Sequence, residues 1–215
     1  AWCLWEIYCT VDSNSKFDIA LGPTEHDNFI KAIVRDSKKY YKMLSKINML
    51  KSNSYLAEDK KNIFKAVEDS IGFAELNGMV IGKMRDWVGS ALDRSIAMKS
   101  TGTDNESRVE LWDNMLAKST MLREQGQYTA SMEILQRCLV QFVDMVDDKY
   151  RDTWGVTFQR IGMVYDEQGD YTKALEYYAK SLDIYILLYG PHHENVGIAY
   201  GNMGEVYRKQ GKYVD

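Results

Sequence analysis

The second half of the chain contains stretches with helical apolar spacing, separated by short polar segments that each hold a glycine. Around Gly169, apolar positions recur three and four residues apart, before it at Phe158, Ile161, Val164 and Tyr165 and after it at Ala174, Leu175, Tyr178 and Leu182. Residues at this spacing lie on one face of an α-helix. A glycine just past a helix end permits a tight turn. The pattern therefore predicts a helix, a turn and a second helix that returns antiparallel to the first.

This helix-turn-helix pattern recurs along the chain. Residues 123–128, 166–171 and 208–213 align without gaps, as REQGQY, DEQGDY and RKQGKY. Their glycines Gly126, Gly169 and Gly211 are 43 and 42 residues apart, and a second pair, Gly162 and Gly204, is 42 residues apart. A repeat of this length indicates an array of helix pairs, each of which buries its apolar face against its neighbours.

The repeated unit resembles the tetratricopeptide repeat. The small residue of the family's first helix is matched by Ser119, Gly162 and Gly204. The aromatic residue three positions later corresponds to Leu122, Tyr165 and Tyr207. The small residue of the family's second helix is matched by Ser131 and Ala174. The first unit departs from the pattern, as expected of a degenerate or capping repeat. The resemblance covers residues 106–215 and implies a mostly α fold, a tetratricopeptide helix-turn-helix solenoid.

The period exceeds the ~34 residues usual in tetratricopeptide repeats. The additional residues fall between Ile184 and Glu194, and this extended second helix with its loop is similar to the long repeats of kinesin light chains and their relatives. The similarity gives no link to a kinesin motor, because repeat types occur in unrelated proteins.

The resemblance implies a non-enzymatic protein-protein interaction scaffold, which holds an extended or helical peptide of a partner in the concave groove lined by its first helices. Nine residues are the partner-binding candidates: Leu116, Thr120, Arg123, Gln159, Met163, Asp166, Asn202, Glu205 and Arg208. Gln159, Met163, Asn202 and Arg208 are expected to lead the contacts. Asn202 occupies a position where kinesin-light-chain-type repeats commonly carry an asparagine that binds peptide backbone.

The mixed charges of these nine residues do not predict whether the ligand is acidic or basic. The chaperone-tail clamp of the family needs Lys and Asn at positions occupied here by Leu116, Thr120, Gln159 and Met163, which argues against that subtype. About half of the nine are expected to be ordinary solvated surface, because an exposed helix face is polar whether or not it binds a ligand. The tyrosines of the second unit are expected to pack rather than to form a ligand cage: Tyr165, Tyr171, Tyr177, Tyr178, Tyr185 and Tyr189.

The first half of the chain follows other patterns. Residues 1–10 predict a helix and residues 17–21 alternate as a short strand. A long helix is predicted to begin at Thr24 and to carry inward Phe29, Ile30, Ile33, Tyr40, Tyr41 and Leu44. Two more helices are predicted at 58–70 and 73–98, with breaks near Gly72 and Gly78. The predicted organisation is an α/β remnant at 1–22, a helical connector at 23–98, a linker at 99–107 and the array at 108–215, with two full repeats and a third that has only its first helix.

The first residues carry a second resemblance. Trp2-Cys3-Leu4-Trp5-Glu6 resembles the Trp-Cys-x-x-Glu helix of Toll/interleukin-1-receptor (TIR) domains, and residues 17–21 fall where that fold places its last strand. In NAD-cleaving TIR domains the glutamate of this motif is catalytic, a role that the resemblance gives to Glu6, whose carboxylate could stabilise the ribosyl cation. Most of that fold would lie upstream of Ala1, so no catalysis is predicted for this chain. The alternative function is a regulatory fragment of a TIR-like signalling or NAD-cleaving multidomain protein.

Composition restricts the function further. The 215 residues are 45% hydrophobic with 2 Pro and a formal charge of −4, which excludes collagen-like and largely disordered chains. No apolar run approaches the ~20 residues that cross a bilayer, so no membrane partner is predicted. The acidic balance favours no nucleic acid partner. Cys3, Cys9 and Cys138 form neither a disulfide framework nor a zinc pattern, so a reducing, cytoplasmic location is expected.

Other candidate chemistry is weak. His192-His193-Glu194 has no further His or Cys near in sequence, so no metal site is predicted. The basic positions between Lys31 and Lys51 are interpreted as a solvated face. Residues 99–103 lack the spacing of a phosphate-binding loop, and no cofactor is predicted. Both ends of the chain read as cut, and the apolar edge of the last unit predicts marginal stability or self-association.

Overall fold

The computed structural model describes Cys9 and residues 22–36, 48–51 and 57–211. The chain divides into two compact units, Ala1–Arg94 and Ser95–Asp215. The described residues form helices, turns and loops but no strand. The TIR-like motif with Glu6, the strand expected at 17–21, and Tyr40, Tyr41 and Leu44 lie outside the described residues.

The first unit is built around a helical hairpin. Its helices are α1 (Pro23–Arg35), α2 (Ala57–Ser70) and α3 (Gly72–Lys99), the last of which continues into the second unit, and a short 3₁₀ helix spans Met49–Lys51. Between α2 and α3, Gly72 has a φ of +77°, a left-handed conformation that favours glycine. The hairpin buries Ile63 and Val67 of α2 with Leu76 and Val80 of α3.

The helices predicted at 58–70 and 73–98 are confirmed to within one residue. Three details of the first half were wrong. α1 begins at Pro23 rather than Thr24, because Gly22 is extended and is the N-cap. It ends at Arg35, since Asp36 leaves the helical region with φ −151° and ψ 77°. Gly78 lies inside a continuous helix and does not break it.

The second unit contains five helices. They are α4 (Asn105–Glu124), α5 (Tyr128–Gln141), α6 (Arg151–Glu167), α7 (Tyr171–Tyr189) and α8 (Glu194–Lys209). α4 with α5 and α6 with α7 form two helix pairs, and α8 packs against α7. The solenoid predicted from the repeat is confirmed.

The turn that follows each first helix depends on glycine. Gly126, Gly169 and Gly211 have φ values of +73°, +80° and +68°. After α4 and α6, the next backbone N–H reaches back to the helix, from Gln127 to the carbonyl of Leu122 and from Asp170 to that of Tyr165, both at 2.9 Å. These bonds satisfy carbonyls that would otherwise be unpaired at a helix end. The repeated glycine is therefore explained by backbone geometry.

An aromatic cluster joins the first helix pair to the second. The indole ring of Trp112 stacks on Phe142 and meets Trp154 edge-on, with centroid distances of 4.6 Å in both cases. The Trp112 Nε1–H donates to Thr157 Oγ1 at 3.1 Å, so the one polar atom of this buried indole is paired. The cluster fixes α6 against α4 and the loop after α5.

The two helix pairs differ in the length of their second helix. α7 extends to Tyr189, where Gly190 with a φ of +80° ends it, whereas α5 ends at Gln141. Beyond Gly190, the His193 ring stacks on Tyr189 at 4.2 Å, and its Nδ1 accepts the N–H of Asn195 at the start of α8. The second histidine of the His-His pair therefore caps a helix.

Candidate functional site

The first helices of the repeat, α4, α6 and α8, are neighbours in the second unit, with α4 contacting α6 and α6 contacting α8. All nine predicted partner-binding residues lie on these three helices. Their contacts and burial divide them into several groups.

Two ion pairs connect the C-terminal ends of the three helices. Arg123 of α4 donates to Glu167 of α6, and the Lys209 ammonium of α8 donates to both carboxylate oxygens of Asp166 in α6 at 2.9 Å. In each pair, the residue three positions before one turn glycine contacts the residue two positions before the next turn glycine. The earlier residue is basic in the Arg123–Glu167 pair and acidic in the Asp166–Lys209 pair, so the two pairs have opposite polarity. The side chains of Arg123 and Asp166 are 10% and 12% exposed. These two predicted contact residues thus hold neighbouring helices together.

Two predicted contact residues are buried. Leu116 is 4% exposed and Thr120 is 7% exposed, and the Thr120 hydroxyl donates to the backbone carbonyl of Leu116 at 3.1 Å. α4 is buried on every side at this level, because each residue from Asn114 to Leu122 is at most 9% exposed. Leu116 and Thr120 therefore offer no ligand surface in this structure.

Glu205 and Arg208, one turn apart on α8, form a bidentate pair at 2.6 and 2.8 Å. The hydrogen bond from Arg208 is the main cause that lowers the pKa of Glu205. Met163 is half-buried and packs beside Ala174, Tyr178 and Val206. Packing explains Met163 without a ligand.

Gln159 of α6 and Asn202 of α8 have a different environment. Both are half-buried, and within the described parts of the chain neither side-chain amide forms a hydrogen bond to another residue. An amide offers both N–H donors and a carbonyl acceptor. These two residues can therefore pair with the backbone of a bound peptide.

Arg160 was missed by the sequence analysis. Arg160 occupies the same position on α6 that Asn202 occupies on α8, 42 residues later. Subtracting the repeat length of 42 from the position of Asn202 identifies Arg160 as a candidate. Its Nη1 donates to the carbonyl of Leu116 at 3.2 Å, while its buried Nε has no partner among the described residues. Burial, and then the charge of Arg123, lowers the pKa of Arg160 to about 10. Burial likewise raises the pKa of Asp113.

The described residues offer little other chemistry. They contain no group of three or more His, Cys, Asp or Glu side chains that could hold a metal ion. Burial raises the pKa of the Cys138 thiol to about 12, so this cysteine stays protonated at neutral pH. Of the helices that the structure describes, none has the length and apolar character to span a membrane.

The second unit also matches a known family. Residues 155–215 match the family model described as tetratricopeptide repeat. A search of curated proteins found no match. Tetratricopeptide repeats are generally non-enzymatic helical scaffolds that bind other proteins. The family match and the paired helices together support a protein of the tetratricopeptide type.

Proposed function

We propose that this protein binds a peptide segment of a partner on the face formed by α6 and α8. The observation that carries the proposal is the pair Gln159 and Asn202, half-buried on adjacent first helices with side-chain amides that bond to no described residue. A half-buried amide without a protein partner keeps its donors and its acceptor available to a ligand. A peptide backbone supplies the donors and acceptors that both amides lack.

The contacts beside these amides favour binding with little rearrangement. The Arg123–Glu167 and Asp166–Lys209 pairs hold the three helices at their C-terminal ends. A face that is already ordered loses less conformational entropy when a ligand binds. Arg160 adds a positive charge next to Gln159, with Nη1 already bonded to the backbone of α4.

A displayed library of random peptides, panned against the 215-residue chain, tests the proposal and requires no identified partner. The affinities of selected peptides are then measured by fluorescence anisotropy for the unchanged chain and for a Gln159→Ala, Asn202→Ala variant. Loss of hydrogen bonds at two half-buried positions is expected to weaken binding about tenfold or more.

Gln141→Ala is the matched control, because Gln141 is an exposed amide at the end of α5, the second helix of its pair. It is expected to leave the affinity unchanged. Selected peptides that bind the double variant as tightly as the unchanged chain would place the binding site elsewhere and overturn the proposal.

A further inference from the structure

The loop between α3 and α4, residues 100–104, contains three side-chain hydroxyls. Those of Ser100 and Thr101 donate to backbone carbonyls in the last turn of α3, at 2.7 and 3.0 Å. Thr103 is exposed, and its hydroxyl bonds to no described residue. Among the serines and threonines that the structure describes outside helices, Thr103 is therefore the one whose hydroxyl is free to react.

Acidic residues follow Thr103 in a pattern that one other position shares. Thr103 begins the sequence TDNE and Thr24 begins TEHD, so each has an acidic residue one and three positions later. No other serine or threonine of the 215 residues has acids at both positions. Protein kinases select substrates partly by such charge patterns, because a basic substrate groove attracts carboxylates. The sequence alone favours the two threonines equally as acceptors for a kinase of this kind.

The backbone distinguishes the two threonines. Thr24 lies in the first turn of α1, which the His26 N–H closes by donating to the Gly22 carbonyl at 2.9 Å. Thr103 lies outside any helix, and Asp104 after it is extended, with φ −75° and ψ 156°. A kinase cleft binds residues on both sides of the acceptor hydroxyl, so a helical acceptor must first unwind. The structure therefore favours Thr103.

We propose that Thr103 is a phosphorylation site, and that the modifying enzyme is a serine/threonine kinase with a basic substrate groove. The Thr103 Oγ attacks the γ-phosphorus of kinase-bound ATP, the bond from that phosphorus to the oxygen that bridges it to the β-phosphorus breaks, and ADP leaves. The hydroxyl proton passes to the catalytic aspartate of the kinase. The proposal is independent of peptide binding, since it uses neither Gln159 nor Asn202.

The phosphate changes the charges where α3 meets α4. It adds about 1.5 to 2 negative charges at neutral pH, directly before the start of α4. Lys99 is at the other end of the same turn, since its carbonyl accepts the Gly102 N–H at 3.1 Å, and its ammonium pairs with Glu110 of α4. The phosphate would compete with Glu110 for this cation, whereas the neighbouring Asp104 repels it. The modification therefore acts on the ion pair that joins α3 to α4.

The 215-residue chain, incubated with ATP and casein kinase 2 as an acid-directed kinase, tests the proposal. Phosphate on each residue is followed over time by mass spectrometry of fragments. Two synthetic peptides, residues 19–30 and 98–109, supply the same acceptor sequences without the fold. For each threonine, the rate in the chain is divided by the rate in its peptide. This ratio is expected to be about tenfold or more higher for Thr103 than for Thr24, because the helix lowers the reactive fraction of Thr24.

Three variants separate the contributions of the hydroxyl and of the acids. Thr103→Ala is expected to remove the phosphate from this loop, whereas Thr101→Ala, the matched control in the same loop, leaves it unchanged. A variant with Asp104→Asn and Glu106→Gln is expected to react about tenfold more slowly, since it lacks both carboxylates while asparagine keeps the N-cap of α4. An unmodified Thr103, equal ratios for Thr24 and Thr103, or phosphate on Thr101 at the same rate each overturns the proposal.

Discussion

Gly162 lies directly against the ring of Tyr178, with no room for a side chain between them. A Cβ on Gly162 would be 2.7 Å from both Cδ1 and Cε1 of that ring and 3.2 Å from the carbonyl oxygen of Ala174. Tyr178 is 1% exposed and enclosed by its neighbours, so the ring has little space to withdraw. The small residue that the repeat requires here is glycine because of this contact.

The Gly162→Ala variant is expected to lower the free energy of unfolding by about 1–3 kcal/mol, because the added methyl group overpacks the contact with Tyr178. Gly204→Ala is the control on α8, where the Cβ position is open. Replacing an open helical glycine is expected to raise the free energy of unfolding by up to about 1 kcal/mol. Urea unfolding at low protein concentration measures both, and a shift of the same sign in the two variants would contradict this account.

Removing Glu167 is expected to loosen the contact between α4 and α6. The Arg123 side chain is 10% exposed, and Glu167→Gln leaves it with Glu124 alone as an acidic partner. We expect Glu167→Gln to lower the free energy of unfolding by about 1 kcal/mol, at the upper end for a partly exposed pair. A double-mutant cycle with Arg123→Gln isolates the pair. Glu205→Gln serves as a comparison, because the Glu205–Arg208 pair lies on the exposed surface of a single helix. It is expected to lower the free energy of unfolding by about 0.5 kcal/mol or less.

Alkaline pH is expected to destabilise the fold through buried acids. Burial raises the pKa of Tyr185 and of Cys138 to about 12, above the ordinary values of 10.0 and 9.0. The native state thus retains protons that the unfolded chain loses, and the free energy of unfolding falls as the pH rises from about 9 towards 12, by up to about 1.4 kcal/mol per pH unit for each group. Tyr185→Phe, which does not ionise, is expected to reduce this slope in urea unfolding at pH 9.0 and 10.5. An unchanged slope would show that Tyr185 does not contribute.

The hydrogen bond between Trp112 and Thr157 offers a test of the cluster that joins the two helix pairs. Thr157→Val keeps the shape of the side chain but leaves the buried indole N–H unpaired, and Trp112 is 0% exposed. We expect a loss of about 1–3 kcal/mol in the free energy of unfolding. Trp112→Phe removes the hydrogen-bond donor. Thr157→Val should therefore lower the free energy of unfolding less in the Trp112→Phe variant than in the unchanged chain. Strictly additive losses in urea unfolding would indicate that the bond contributes nothing.

The sequence predicted features that depend on residues close along the chain. Gly126, Gly169 and Gly211 revealed the turns, because a left-handed backbone at a helix end requires a particular residue type within a few positions. The helices of the second unit followed from apolar spacing for the same reason. The limits of α1 were less predictable, since Thr24 is an acceptable cap by composition and Gly22 acts as the cap only through its backbone.

The roles of the contact residues depend on distant parts of the chain. Arg123 and Asp166 were placed on a ligand face, but their partners Glu167 and Lys209 lie 44 and 43 residues away, and the repeat period alone did not show which side chains would meet. Leu116 and Thr120 satisfied the same periodicity, yet α4 is buried on all sides at that level. The spacing along one helix does not reveal how many neighbours that helix has.

The reversed polarity of the two inter-helix ion pairs restricts how such an array can change in evolution. Loss of the middle unit by recombination between the turns at Gly126 and Gly169 would place Lys209 opposite Arg123, two like charges at a partly buried contact. Duplication of that unit would similarly bring Asp166 against a second Glu167. The units are therefore not interchangeable, and their order along the chain is encoded in the signs of four side chains.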